Sequence, residues 1–397
     1  MNARCLVIIA AAALTSSAVA QTTPGVSENE IRFGQTQPYS GPVSALSVAG
    51  KVELAFFRKL NEQGGVNGRK VTLISLDDGF SPPKTFEQTR KLVESENVVA
   101  IFASSGTGTN SAIHKYLNQA RVPQLFVSSG AAKWDDPKNY PWTIGWFPSY
   151  KTEAAIYAKY IRETKPNARI GILYQNDDFG KDYIAGLRRG LGPEASKNIV
   201  AELAYQTSDP SIDSQIISLK AAGADTFLNV ATPKFAAQAI RKAGELGWNP
   251  LHFVVNSSTS VASVLRPAGL EHANGLISAQ FLKDPSDPTW ASDKGVEEWR
   301  AFMVNDVGTS DLNDLFNVSS YSMAQTLVYV LKQAGSDLSR ERLMREAANI
   351  KDLELPMLLP GIKINTNPDS FAPIKQMQLM RFDGTRWVLF GPITSAE

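Results

Sequence analysis

The residues whose types and spacing suit chemistry stand in two short polar runs, Ser104–Asn110 (SSGTGTN) and Ser128-Ser129-Gly130. Each follows an apolar run of strand length, Val98–Ala103 and Val122–Val127. Hydroxyls and free N–H groups at a helix start hold an anion without a charged side chain. In open α/β sheets, ligands sit outside the carboxyl ends of the strands. Two such turns from neighbouring parallel strands predict half of a pocket for a small carboxylate or another polar acceptor. The residues concerned are Ser105, Gly106, Thr107, Ser128, Ser129 and Gly130. The same run also suits a plain helix cap and loop.

No catalytic constellation accompanies these turns. The glycines of Ser104–Thr109 are not followed by Lys-Ser/Thr, and GxGxxG fails after Gly108, so neither a P-loop nor a dinucleotide fingerprint is present. There is no GxSxG elbow. His114, His252 and His272 are isolated and lack metal-ligand spacing; His114 reads as a solvated helix-face residue. Asp77 and Asp78 are adjacent on a strand and point to opposite faces, which favours a capping role over a paired one. Trp134, Trp290 and Trp299 read as packing residues. The only cysteine is Cys5. The expectation is a protein that is not an enzyme, with no metal and no cofactor.

The elements that must position the turns repeat a β-α-β rhythm. Ile31–Gln35 is a strand, and Ala45–Glu62 is a helix ended by Gly64-Gly65. Lys70–Leu76 is the second strand, and Thr85–Glu96 the next helix. Pro141–Tyr150 is aromatic-rich and broken by Pro148, as a segment leaving one lobe for another would be. The rhythm then restarts through Arg169–Gln175, Thr226–Val230 and His252–Val255, and a hairpin around Asp383-Gly384 closes the chain. The fold class expected is α/β, with two Rossmann-like lobes and three crossovers, near Trp146–Tyr150, Ala273–Ser278 and Ile364–Phe371. Lobe 1 is assigned to 29–148 plus 275–365, and lobe 2 to 149–274 plus 366–397.

The chain has 397 residues, 43% hydrophobic and 20% charged, with a formal net charge of +1. That near-neutrality argues against a nucleic-acid partner. Asn2-Ala3-Arg4, the apolar Leu6–Leu14 and the small-x-small Ala18-Val19-Ala20 predict a signal peptide over 1–20. The apolar run is too short to span a bilayer, which takes about 20 residues. The mature chain is expected to be exported, monomeric and not membrane-inserted.

Asn61–Lys70 (NEQGGVNGRK), with the strand and acidic pair after it, resembles the first lobe of the type I periplasmic solute-binding proteins, the branched-chain amino-acid-binding family. Ser40-Gly41-Pro42, Tyr150-Lys151-Thr152-Glu153 and Asp178-Phe179-Gly180 fit the same pattern, and the likeness runs from about 29 to 390. It implies a two-lobed protein of the periplasm that closes on a small solute and delivers it to an ABC permease. In relatives that bind α-amino acids, the double turn holds the carboxylate. By that likeness Thr107 takes the hydroxyl position and Gly130 supplies a backbone N–H, while Ala132 replaces a threonine. The second-lobe positions that usually face the ammonium fall on Thr232 and Ser257. Phe179 replaces a common tyrosine, and Leu46 lines the pocket from the first loop. A wall without an acid disfavours an ammonium, so the expected ligand is a carboxylate lacking an α-amino group. YSGP, GTGTN and NSSTS resemble the subgroup that takes benzoate- and cinnamate-type acids. A branched-chain or other amino acid, an amide, and a soluble sensor domain are the alternatives.

Overall fold

The computed structural model describes residues 23–309, 312 and 314–395. The signal-peptide reading of 1–20 lies outside them. The first sheet contains β1 (Glu30–Gln37), β2 (Lys70–Asp77), β3 (Ala100–Phe102), β4 (Gln124–Val127) and β5 (Thr143–Gly145), in the order β2-β1-β3-β4-β5 and parallel throughout. The second contains β6 (Ile170–Gln175), β7 (Ile199–Tyr205), β8 (Thr226–Val230), β9 (Leu251–Val254), β10 (Ile277–Gln280), β11 (Gln376–Phe382) and β12 (Trp387–Ser395). Its order is β12-β11-β10-β9-β8-β6-β7, and only the β11 and β12 pairings are antiparallel. β3, β4 and β5 are buried at every residue, which is why they read as continuous apolar or small runs rather than as alternation.

The helices that matter for the site are α1 (Val48–Glu62), α2 (Pro82–Arg90), α3 (Thr107–Gln119), α4 (Tyr150–Thr164) and α5 (Asp178–Leu191). Side chains start two of them. Ser149 accepts from the Lys151 N–H at α4, and Asp177 accepts from the Phe179 and Gly180 N–H groups at α5.

The second crossover comes later than expected. β10 is sandwiched between β9 and β11, so the chain stays with the second sheet through Gln280 and does not return to the first lobe at 275. The helices Lys294–Phe302 and Leu315–Ala334 then pack on α1, through ring contacts of Phe56 with Phe302 and Tyr321. Trp146, at the first crossover, donates its indole N–H to Thr326 at 3.0 Å. A single apolar cluster runs from Phe33 and Phe102 in the first lobe, through Trp146 and Phe281, to Phe253 in the second.

Asp77 and Asp78 act structurally. Asp77 accepts from the Ser40 N–H and hydroxyl, the Gly79 N–H and Lys84, pinning the loop that leads to Leu46. Asp78 accepts from the Phe80 N–H and the Thr85 hydroxyl. His114 is not solvated. It is buried, stacked on Tyr140 at 3.9 Å and set edge-on to Trp134, and burial pushes its pKa down to about 4.

Candidate functional site

β3 and β4 each kink just before their serine turns. Ala103 (φ 49°) and Phe126 (φ 54°) both sit in the left-handed region, which side-chain-bearing residues seldom adopt. Such strain is held only where the surroundings enforce it, and it gathers at functional sites. The turns that follow bring Ser105, Ser128 and Ser129 to the wall of the cleft, while the Ser104 hydroxyl stays buried against the Thr36 N–H. Gly106, at φ 96°, opens α3, and a Cβ there would lie 2.4 Å from the Phe80 ring. The close approach of that ring therefore requires glycine.

The cleft holds about 690 Å³ of unfilled space, part of it continuous with solvent. Leu46, Ser105, Gly106, Thr107, Ser128, Ser129, Phe179, Thr232 and Ser257 all line it. Gly130 does not. It lines the neighbouring groove, and the Tyr150 ring lies where its Cβ would be.

Hydrogen bonding narrows the set of free donors. The Ser105 hydroxyl donates to Gln37 at 2.6 Å, the Ser105 N–H is engaged by the Thr36 carbonyl, and the Gly106 N–H by the Ser128 carbonyl. Those three groups hold the turns together rather than face a ligand. Ser129 Oγ accepts from the Trp134 indole at 3.0 Å and from the Ala131 N–H at 3.3 Å, which fills both its lone pairs. Its own proton therefore goes to Thr107 Oγ1, 2.8 Å away. The Thr107 proton is left for the Tyr150 hydroxyl at the cleft wall, beside the first N–H groups of α3, which have no acceptor within the helix. Trp134 is thus more than packing, since its indole orients the serine that orients Thr107.

Tyr150 sits against this donor set. Its hydroxyl is 3.4 Å from Ser129 Oγ, with the Thr107 hydroxyl and the Gly130 N–H also directed to it. Its ring stacks on Tyr183 at 5.0 Å and meets Phe179 edge-on.

On the second-lobe wall, Thr232 is held by Tyr205, whose oxygen accepts the Thr232 N–H at 2.9 Å. Ser257 is half-buried in the turn Asn256–Ser258. The expectation that this wall carries no acid is overturned by Glu153, which lines the cleft from α4. Glu153 Oε1 accepts from the Tyr157 hydroxyl at 2.6 Å and the Asn256 N–H at 2.7 Å, and Oε2 accepts from the Tyr183 hydroxyl at 2.7 Å. Burial pushes its pKa up to about 7, against the downward pull of those three donors. Phe80, Phe147 and Phe316 also line the cleft. A signal for Glu153 exists in the sequence. Tyr150, Glu153, Tyr157 and Ile161 recur at helical spacing, so the acid stands on an otherwise apolar stripe.

The lobes also meet outside the cleft. Lys133 bridges to Asp178 at 2.8 Å, and the Ala132 N–H donates to Asp182 at 2.7 Å, both across to α5. Ala132 thus contributes its amide to the opposite lobe. Among the described residues no group of three acids, histidines or cysteines is arranged to hold a metal, and no helix is long and apolar enough to cross a membrane.

Residues 30–386 match the sequence pattern of one family, described as "Periplasmic binding protein". The chain belongs to that family. The Leu/Ile/Val-binding protein homolog 7 of Brucella abortus is 25% identical over 245 residues, 59% of this chain and 60% of that protein, so the match spans less than two thirds of the relative. Among solved structures, a substrate-binding periplasmic protein from Ralstonia solanacearum superposes with a TM-score of 0.81 at 22% identity, covering 91% of this chain and 100% of that one. A branched-chain amino acid ABC transporter protein from Thermus thermophilus with bound valine gives 0.83 at 15% identity, covering 93% and 97%. A fatty acid ABC transporter substrate-binding protein from Thermomonospora curvata gives 0.76 at 19% identity, covering 94% and 95%. These likenesses establish the two-lobed type I fold.

Proposed function

We propose that this family member is a periplasmic receptor, without catalytic activity, that closes on a small carboxylate with an aromatic body and delivers it to an ABC importer. The observation that carries the reading is the composition of the cleft. Thr107 and Ser128 offer uncharged donors at one wall, and Phe80, Phe147, Tyr150, Phe179, Tyr183 and Phe316 supply rings around the remaining space. Rings pair edge-on or offset with one another and with a planar ligand. The ligand acid accepts from Thr107 and from the start of α3, displacing the Tyr150 phenol. Contacts made to both lobes at once favour the closed form, which is how binding shifts the population.

A second reading, a branched-chain amino acid, is favoured by Glu153, an acid within reach of the cleft, and by the valine named with the Thermus relative. Calorimetry with leucine, valine, glutamate, benzoate and 4-hydroxycinnamate separates the two. Binding of the aromatic acids without leucine supports the first reading; tight leucine or valine binding alone overturns it in favour of the second.

A further inference from the structure

Among the described residues Glu153 is the one acid that lines the cleft, and its bonding is incomplete in a particular way. A carboxylate offers about four acceptor positions. The Tyr157 hydroxyl and the Asn256 N–H take two on Oε1, and the Tyr183 hydroxyl takes one on Oε2. The fourth position, on Oε2, has no hydrogen-bond partner among the described residues. Both tyrosines are fully buried and held in place. Tyr157 also lies 3.2 Å from the Ser278 hydroxyl, and Tyr183 is stacked on Tyr150. No lysine, arginine or histidine bonds to Glu153. All of its partners are donors, so its unfilled acceptor position is the part of it left for the cleft.

We propose that Glu153, fixed by Tyr157, Tyr183 and Asn256, is a second polar pole of the cleft that accepts a hydrogen bond from a hydroxyl on the end of the ligand away from its carboxylate. This deepens the carboxylate-binding reading and rests on it. It assigns Glu153 a ligand-selecting role distinct from that of Thr107. A ligand with a donor at that end engages ionised Glu153, so its binding strengthens as pH rises through the neutral range. The groups facing Glu153 are Tyr157 on its own helix, Tyr183 from α5 and the Asn256 amide from the turn after β9. Both tyrosines are pushed above their usual range by burial, so neither ionises in that window.

The test is calorimetry on the full-length mature protein with pairs that differ only by the donor. These are 4-hydroxybenzoate against 4-methylbenzoate and 4-hydroxycinnamate against 4-methylcinnamate, with leucine as a control whose donor lies beside its carboxylate. Expected is a preference of roughly tenfold or more for the donor-bearing member of at least one pair. That preference grows from about pH 5.5 to about pH 8 and is abolished in Glu153→Gln. The wild-type pH series needs no variant, so it decides the matter even if Glu153→Gln does not fold. If the acids bind with equal affinity within every pair and without pH dependence, the Glu153 pole is overturned while the carboxylate reading stands. If only leucine binds, the aromatic reading falls and the far pole falls with it, because leucine carries no donor at the end away from its carboxylate. If no member of any pair binds, both are overturned.

Discussion

Replacing Thr107 by valine removes one hydroxyl from the centre of the donor set and leaves shape and helix start almost unchanged. Trp134, Ala131 and the Tyr150 hydroxyl donate to Ser129, Ser129 lies 2.8 Å from Thr107, and Thr107 directs its own proton to the Tyr150 phenol that the ligand acid displaces. Valine therefore has two separate effects. The ligand acid loses a hydrogen bond from a neutral donor to a charged acceptor, worth about 1.5–3 kcal/mol, or roughly 10- to 150-fold in Kd. The protein itself loses the buried Ser129–Thr107 bond, worth about 1 kcal/mol, which lowers Tm modestly whether or not ligand is present. Calorimetry with the tightest ligand found reads the first effect, and a thermal melt of the free protein reads the second. Thr107→Ser keeps the hydroxyl and should retain most of the affinity. An unchanged Kd in a folded Thr107→Val protein would refute the relay and remove Thr107 from the binding wall.

Three further perturbations follow from the same coordinates. Gly106→Ala forces a Cβ against the Phe80 ring at φ 96°; strain of order 1–3 kcal/mol should lower Tm in a melt and weaken ligand binding together. Lys133→Ala removes an ion pair across the lobe mouth whose partners are 34% and 50% exposed. A contribution below about 1 kcal/mol predicts a Kd weakened by at most a few-fold, with the wild-type advantage fading in high salt. His252 is buried, and burial alone pushes its pKa down to about 3. A histidine with a depressed folded pKa is protonated first in the unfolded chain, so this group lowers stability as pH falls from about 6.5 toward about 3. Melts of His252→Gln should show a shallower acid limb than wild type, and parallel limbs would show that His252 has no part in it.

The two serine turns were legible because a buried parallel strand must be apolar and its carboxyl end must change character abruptly, as at Ala103–Ser104 and Val127–Ser128. What the turns do with their donors was not legible. Whether the Ser105 hydroxyl faces a ligand or Gln37 depends on β1 lying beside β3, a pairing between residues 68 positions apart. That Gly130 lines the neighbouring groove, with its N–H directed to the Tyr150 hydroxyl, was hidden for a similar reason, because Tyr150 reaches it from the next crossover. Glu153 was marked only by its place on the stripe of Tyr150, Tyr157 and Ile161, a signal that the charges around it mask. Between Lys151 and Glu163 a glutamate looks like solvent-facing charge, and only the packing of α4 against α5 and the turn after β9 buries it. The late second crossover was misjudged because a strand at a sheet's interior and one leaving it read alike. β10 is fixed in place by the antiparallel β11 that arrives about 100 residues later.

The cluster running from Phe33 through Trp146 and Phe281 to Phe253 gives the molecule a spine rather than a tether. Two halves sharing such a spine cannot melt independently. A calorimetric scan should therefore show one endotherm, and either half expressed by itself should be insoluble. Any opening of the cleft would have to rock the halves about this filled axis, exposing the cleft walls and leaving the pivot dry.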